Sequence, residues 1–114
     1  MKITEIISGD APSLSFEVFP PKTSDKFESV MGAAAEIAKL KPSYMSVTYG
    51  AGGGTSEYTT AICEALNGFG VTALAHLTCV SSDRGRIESE LEKLRAHGIG
   101  NILALRGDIP AGFD

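Results

Sequence analysis

Only two cysteines, Cys63 and Cys79, occur in the 114 residues, and their spacing matches no zinc motif. With no extracellular context, both are expected to be buried, reduced thiols of a cytoplasmic protein. The N-terminus lacks a long apolar core, which argues against a signal peptide and against a membrane-spanning helix. Basic residues are outnumbered, ten to fourteen, for a net charge of -4, and they are scattered. No strip of Lys and Arg can follow a phosphate backbone, so a nucleic-acid partner is not expected. Histidine is also scarce. His76 and His97 have no Cys or carboxylate pair nearby at ligand spacing, so no metal site is expected. No serine or threonine sits in a nucleophile elbow, and covalent acyl chemistry has no support.

What is present is an ordinary globular composition, 43% hydrophobic and 21% charged, long enough for one domain with a core. Four short apolar runs alternate with helical patterns: Leu14 to Phe19, Tyr44 to Tyr49, Val71 to Val80 and Asn101 to Leu105. Between the first two runs, Phe27, Val30, Met31, Ala34, Ile37 and Ala38 recur at helical spacing. Ser24 or Asp25 is expected to cap that helix, and Pro42 to enforce its end. Thr55 or Ser56 would cap a second helix carrying Tyr58, Ile62, Ala65 and Leu66, with Gly68 and Gly70 after it. A third, less clear helix opens at Ser82 or Asp83, carries Ile87, Leu91 and Leu94, and closes at Gly98.

Strand and helix alternating in this way is the grammar of a parallel sheet with crossover helices. Leu14, Phe16 and Val18 share one face of the first strand, with Ser13, Ser15 and Glu17 on the other. Met45 and Val47 oppose Ser46 and Thr48. Thr72, Leu74, His76 and Thr78 lie together in run three, as do Ile102, Ala104, Arg106 and Asp108 in run four. Polar members gather toward the C-terminal ends of the strands: Glu17, Thr48, His76, Arg106 and Asp108. Doubly wound sheets have strands apolar on both faces, whereas a (β/α)8 barrel carries its reactive groups at the C-terminal face. The expected fold is therefore α/β: the first half of a (β/α)8 TIM barrel, about four parallel strands with three crossover helices. Residues 1–114 are read as a partial catalytic domain, truncated after the fourth strand and its loop. Its first and fourth strands would be free edges that invite self-association.

Glu17 is the most informative single residue. It stands in an apolar strand that two prolines, Pro20 and Pro21, then stop. Desolvation by Phe16 and Phe19 would favour the protonated carboxyl, and a glutamate held in that form serves as a general acid. The competing reading is an exposed strand-end glutamate without a role. Gly50-Ala51-Gly52-Gly53-Gly54-Thr55 superficially matches a dinucleotide fingerprint, but Thr55 takes the third glycine's place and no acidic residue ends the next strand. It reads as a βα loop whose backbone can approach a ligand. Taken alone, His76 reads as a satisfied core residue, His97 as a helix-end group favouring the dipole, and Arg106-Gly107-Asp108 as structural.

Together, Phe16-Glu17-Val18-Phe19-Pro20-Pro21-Lys22-Thr23, Ser46-Val47-Thr48-Tyr49-Gly50-Ala51, Ala75-His76-Leu77-Thr78-Cys79 and Ala104-Leu105-Arg106-Gly107-Asp108-Ile109-Pro110 resemble methylenetetrahydrofolate reductase. The resemblance runs in register from about Leu14 to Pro110, with each motif at a strand end. It implies a flavoenzyme on a (β/α)8 barrel that passes hydride from NADH or NADPH to FAD, and from there to 5,10-methylenetetrahydrofolate. The product is 5-methyltetrahydrofolate, in one-carbon metabolism and methionine biosynthesis. By this resemblance Glu17 is the general acid that protonates N10 of the folate and opens its five-membered ring. Asp108 is implied to lie beside flavin and folate, disfavouring an anionic reduced flavin and holding the pterin. Thr48 matches a position near the flavin and nicotinamide, and Tyr49, Ala51, His76, Arg106 and Gly107 match FAD-contacting positions.

Val18 stands where the family often has Phe, and the loop after Ala51 is richer in glycine than is usual. The later strands, with much of the adenine and pyrophosphate site and a folate-binding glutamine, are missing. The resemblance thus implies a folate substrate, a cytoplasmic homo-oligomer, and a 114-residue piece that does not turn over alone. Two alternatives predict otherwise: a non-catalytic half barrel that self-associates, and a flavin-free lyase-type barrel using Glu17 as acid and Arg106 to hold a carboxylate.

Overall fold

A computed structural model of the chain describes residues 1–49, 56–80 and 82–109. In order it contains α1 (Ile3–Ile7), β1 (Ser15–Val18), a 3-10 turn (Ser24–Lys26), α2 (Phe27–Ala38), β2 (Tyr44–Val47), α3 (Ser56–Gly68), β3 (Ala73–Thr78), α4 (Arg84–Ala96) and β4 (Ile102–Leu105). The strands form one parallel sheet in the order β1-β2-β3-β4. Each parallel neighbour is reached through a crossover helix, α2, α3 or α4, which is the arrangement of half a TIM barrel.

One face of this sheet makes the core. Met45, Val47 and Ala75 are wholly buried, as are Ile62, Cys63 and Leu66 of α3. Ala34 and Ala38 of α2 join the same cluster, with Phe16, Phe27, Val30, Met31 and Ile37 packed against it. The helical spacing of α2 thus turns its small residues inward and lets the helix approach the sheet closely. α4 contributes mainly Leu94, and the turn after it brings in Ile99. Gly98 makes that turn at φ +75, a left-handed conformation that costs glycine no steric strain.

Several local expectations need correction. Ser24 and Asp25 do not cap α2: they form the 3-10 turn before it, where the Thr23 hydroxyl donates to the Asp25 carboxylate. The local side-chain bond tightens the entry into a 3-10 turn, and α2 begins at Phe27 without a side-chain cap. Asp83 does cap α4, accepting from the Arg86 backbone N–H at 2.8 Å. Thr55 and the glycine-rich loop lie outside the described residues, while Ser56 is the first residue of α3.

The short helix α1 has no counterpart in the apolar pattern. It is tied across the bottom of the sheet by Asn101, whose side chain accepts from the Ile3 N–H at 2.9 Å and donates to the Met1 carbonyl at 3.0 Å.

The face assigned to run four is also revised. Ala75 pairs with Ile102 and Leu77 with Ala104, whereas His76 pairs with Leu103 and Thr78 with Leu105. Paired residues of a parallel ladder share a face. Ile102 and Ala104 therefore lie on the helix side, and Leu103 and Leu105 on the side of His76. Arg106 and Asp108 follow the strand, beyond the reach of its alternation.

Candidate functional site

The sheet face opposite the helices carries a polar group contributed by three neighbouring strands. Glu17 pairs with Ser46, and Ser46 with Leu74, two residues before His76 on the same face. The Ser46 hydroxyl donates to Glu17 Oε1 at 3.2 Å, and His76 Nε2 lies 3.5 Å from the same oxygen. That contact is an ion pair when the imidazole is protonated. The two partners thus aim one carboxylate oxygen, leaving the other to meet a ligand.

The expected desolvation of Glu17 by Phe16 and Phe19 is not found. The Glu17 side chain is 45% exposed and Phe19 is 68% exposed. Phe16 is on the opposite side, against the core, because alternate strand residues point apart. Hydrogen bonding and the neighbouring imidazole, not an apolar pocket, define this carboxylate's surroundings.

A second group lies at the ends of β2, β3 and β4. Tyr49, Thr78, Leu105, Arg106, Gly107 and Asp108 line a cavity of about 470 Å³. Gly107 has φ +85, and a Cβ there would meet Thr78 Cγ2 at 2.0 Å. Only glycine lets the chain turn this tightly against β3. Arg106 donates from Nε to the Gly107 carbonyl at 3.1 Å, which folds its side chain back over the turn.

Thr48 precedes Tyr49 and fixes it from behind. Its N–H donates to the Val18 carbonyl at 3.0 Å, and its carbonyl accepts from the Thr59 hydroxyl at 2.8 Å. The Tyr49 hydroxyl has no solvent contact and, among the described residues, no hydrogen bond of normal geometry. Burial first, then the Glu90 carboxylate, raises the phenol above its usual range, while the Arg86 guanidinium acts against them.

Of the residues expected to bind cofactor, Tyr49, Arg106, Gly107 and Asp108 thus come together around one cavity. His76 stands instead beside Glu17, and Ala51 lies outside the described residues. Ser46 and Thr78 are additions to the site. Strand alternation puts Ser46 on the polar face of its strand, and the ladder register places it opposite Glu17. The cavity combines a guanidinium, a carboxylate, an aromatic ring and a glycine turn. This donor and acceptor set fits part of a flavin nucleotide, which presents anionic phosphates and a ring with both donors and acceptors.

The sequence profile of the family described as methylenetetrahydrofolate reductase matches residues 2–114. Methylenetetrahydrofolate reductase (NADH) 1 of Arabidopsis thaliana is 38% identical over 114 residues, covering 99% of this chain and 19% of that protein. The 5,10-methylenetetrahydrofolate reductase of Pectobacterium carotovorum subsp. carotovorum is 38% identical over 99 residues, 86% of this chain and 33% of its own. The protein of that name from Escherichia coli is 36% identical over 101 residues, 88% of this chain and 34% of its own. The chain therefore spans about a fifth to a third of the length of these relatives.

Proposed function

The chain belongs to the methylenetetrahydrofolate reductase family, an oxidoreductase family, and from that premise we propose that it supplies the proton donor and part of the flavin cradle for reduction of 5,10-methylenetetrahydrofolate to 5-methyltetrahydrofolate. The observation that carries this reading is the convergence of Glu17, Ser46 and His76 on one sheet face. Bound FAD would take hydride from NADH or NADPH and supply it to the folate.

The chain's own residues do the rest. Glu17 donates its proton to N10 of the folate as the ring C–N bond breaks, so the leaving nitrogen departs neutral. Ser46 and His76 hold the carboxyl in position for that transfer. Arg106 meets anionic oxygens of the cofactor, Thr48 and Tyr49 bound its ring, and Asp108 accepts from the flavin or pterin. Gly107 keeps the wall between Thr78 and the ligand thin. Ala51 and His76 complete the cofactor contacts in this reading, and the enzyme works as a cytoplasmic homo-oligomer.

Residues 1–114 act as part of a (β/α)8 catalytic domain. All of β4 is exposed and Glu17 faces open space, so water competes for each polar contact and flavin is held weakly. The 114-residue chain alone is therefore inactive. Quenching of FAD fluorescence tests the cofactor part directly: the chain should show saturable quenching that Arg106→Ala weakens. Quenching that is absent at every protein concentration contradicts it.

A second reading, a non-catalytic module that self-associates, is favoured by the exposure of Ile102, Leu103 and Leu105. A flavin-free dimer on a sizing column supports it, and a monomer that binds FAD rejects it.

A further inference from the structure

Among the described residues, Glu90 of α4 is the one acidic side chain in the buried set, 7% exposed. It is bracketed by two cations of its own helix, Arg86 Nε at 3.4 Å from Oε1 and Lys93 Nζ at 3.2 Å from Oε2. The same helix has a second pair at the same spacing, Arg84 Nε to Glu88 Oε1 at 3.1 Å, but both of its members are exposed. Helix propensity and solvation account for the outer pair. They do not account for the inner one, because taking a carboxylate out of water carries a cost that surface pairing avoids.

The neighbour that distinguishes the inner pair is Tyr49. It lines the cavity with Thr78, Arg106, Gly107 and Asp108, and its hydroxyl is buried. The charges that act on that hydroxyl belong to Glu90 and Arg86, with Cys79 a smaller contributor. Tyr49 thus lines the cavity while its buried hydroxyl lies within reach of the α4 charges.

We propose that Glu90 is a positioning residue: it holds Arg86 against the buried end of Tyr49 and so fixes the aromatic wall of the cavity. α4 touches no reacting atom in this scheme. It sets the side chain that does touch the ligand, as a supporting shell does for a binding group. The inference rests on reading that cavity as the flavin site.

The test uses the chain with Glu90→Gln, with Glu88→Gln as the exposed control on the same helix. Tyr49 is followed by the NMR signal of its ring, assigned against Tyr44 and Tyr58 with Tyr49→Phe, and FAD affinity is followed by fluorescence quenching. Glu90→Gln should move the Tyr49 ring signal and weaken FAD roughly tenfold to a hundredfold. Glu88→Gln should do neither.

Arg86→Lys keeps the charges and should shift the Tyr49 signal with little loss of Tm, and it decides the matter if Glu90→Gln does not fold. A folded Glu90→Gln, or in its place Arg86→Lys, with the Tyr49 signal unchanged shows that the row merely staples α4, and overturns the proposal. If wild type binds no FAD, the flavin reading fails, but the Tyr49 signal still decides the positioning role.

Discussion

Glu17 on β1 and His76 on β3 belong to strands separated by β2, yet Glu17 Oε1 and His76 Nε2 are 3.5 Å apart. The span is closed by side-chain length across the intervening strand, where the residue opposite Glu17 is a small one, Ser46, that itself donates to the carboxylate. A bulkier residue at position 46 would stand between them. The Glu17 side chain is 45% exposed although that of His76 is only 12% exposed, so the coupling in stability should be modest. A double-mutant cycle with Glu17→Gln and His76→Gln should give about 0.2–1 kcal/mol. A coupling of zero would mean that the two groups share a face without interacting.

Ser46→Val tests the small residue directly. It removes the donor and fills the gap, so Glu17 loses its alignment. The ring signals of His76 should shift in NMR, while the buried position of residue 46 tolerates the apolar side chain. Unchanged His76 signals would contradict the arrangement.

Gly107→Ala should destabilise the chain by about 2–5 kcal/mol, combining a left-handed φ with a clash against Thr78. Thr78→Ser removes the methyl that the new Cβ would meet at 2.0 Å. In the double variant the steric part should be recovered and about 1 kcal/mol of backbone cost remain. Urea unfolding measures both, and additive losses would place the strain elsewhere.

Cys63 is wholly buried, and burial pushes its thiol up from about 9 to about 12. Below about pH 9 the thiol is protonated in both states and contributes no pH dependence. From about pH 9 to about 12 the unfolded chain releases this proton and the folded chain keeps it. Stability therefore falls as pH rises through that window, by up to ~1.4 kcal/mol per pH unit from this group. Cys63→Ala should remove that part of the slope. In the native state a thiol reagent should modify the half-buried Cys79 first, and reversed order would contradict the burial.

Ile62→Ala should cost about 2–5 kcal/mol, because the side chain sits wholly buried where α3 meets β2 and β3. Leu40→Ala, at a 70% exposed position, should change stability by less than about 0.5 kcal/mol.

The strands and three long helices were legible because their signals are local. Alternation sorted Glu17 from Phe16 and Val18, and three- and four-residue spacing marked α2 and α3. Gly98 announced the end of α4, and Asp83 its start. What could not be read depends on partners far along the chain. α1 exists because Asn101 holds it, not because its own sequence is strongly helical. Parity along run four does not extend to Asp108, because β4 ends at Leu105 and the left-handed turn at Gly107 breaks the alternation. The apolar flanks of Glu17 do not make a dry pocket, because Phe16 lies on the opposite face and Phe19 is 68% exposed. Ser46 joins the site through register and Thr78 through the cavity it shares with Gly107, and the link from Tyr49 to Glu90 crosses from a loop to a helix more than thirty residues away.

The central claim, that this segment carries the proton donor of folate reduction, is tested most directly by exchange. Residues 1–114 would replace the matching segment of the Escherichia coli relative, and the two half-reactions of the chimera would be followed separately by flavin absorbance. We expect reduction of the flavin by NADH and its reoxidation by methylenetetrahydrofolate. Glu17→Gln should slow the reoxidation by about 10²–10⁴-fold and leave the reduction unchanged. Reoxidation by methylenetetrahydrofolate at the same rate with Gln at position 17 would contradict the account.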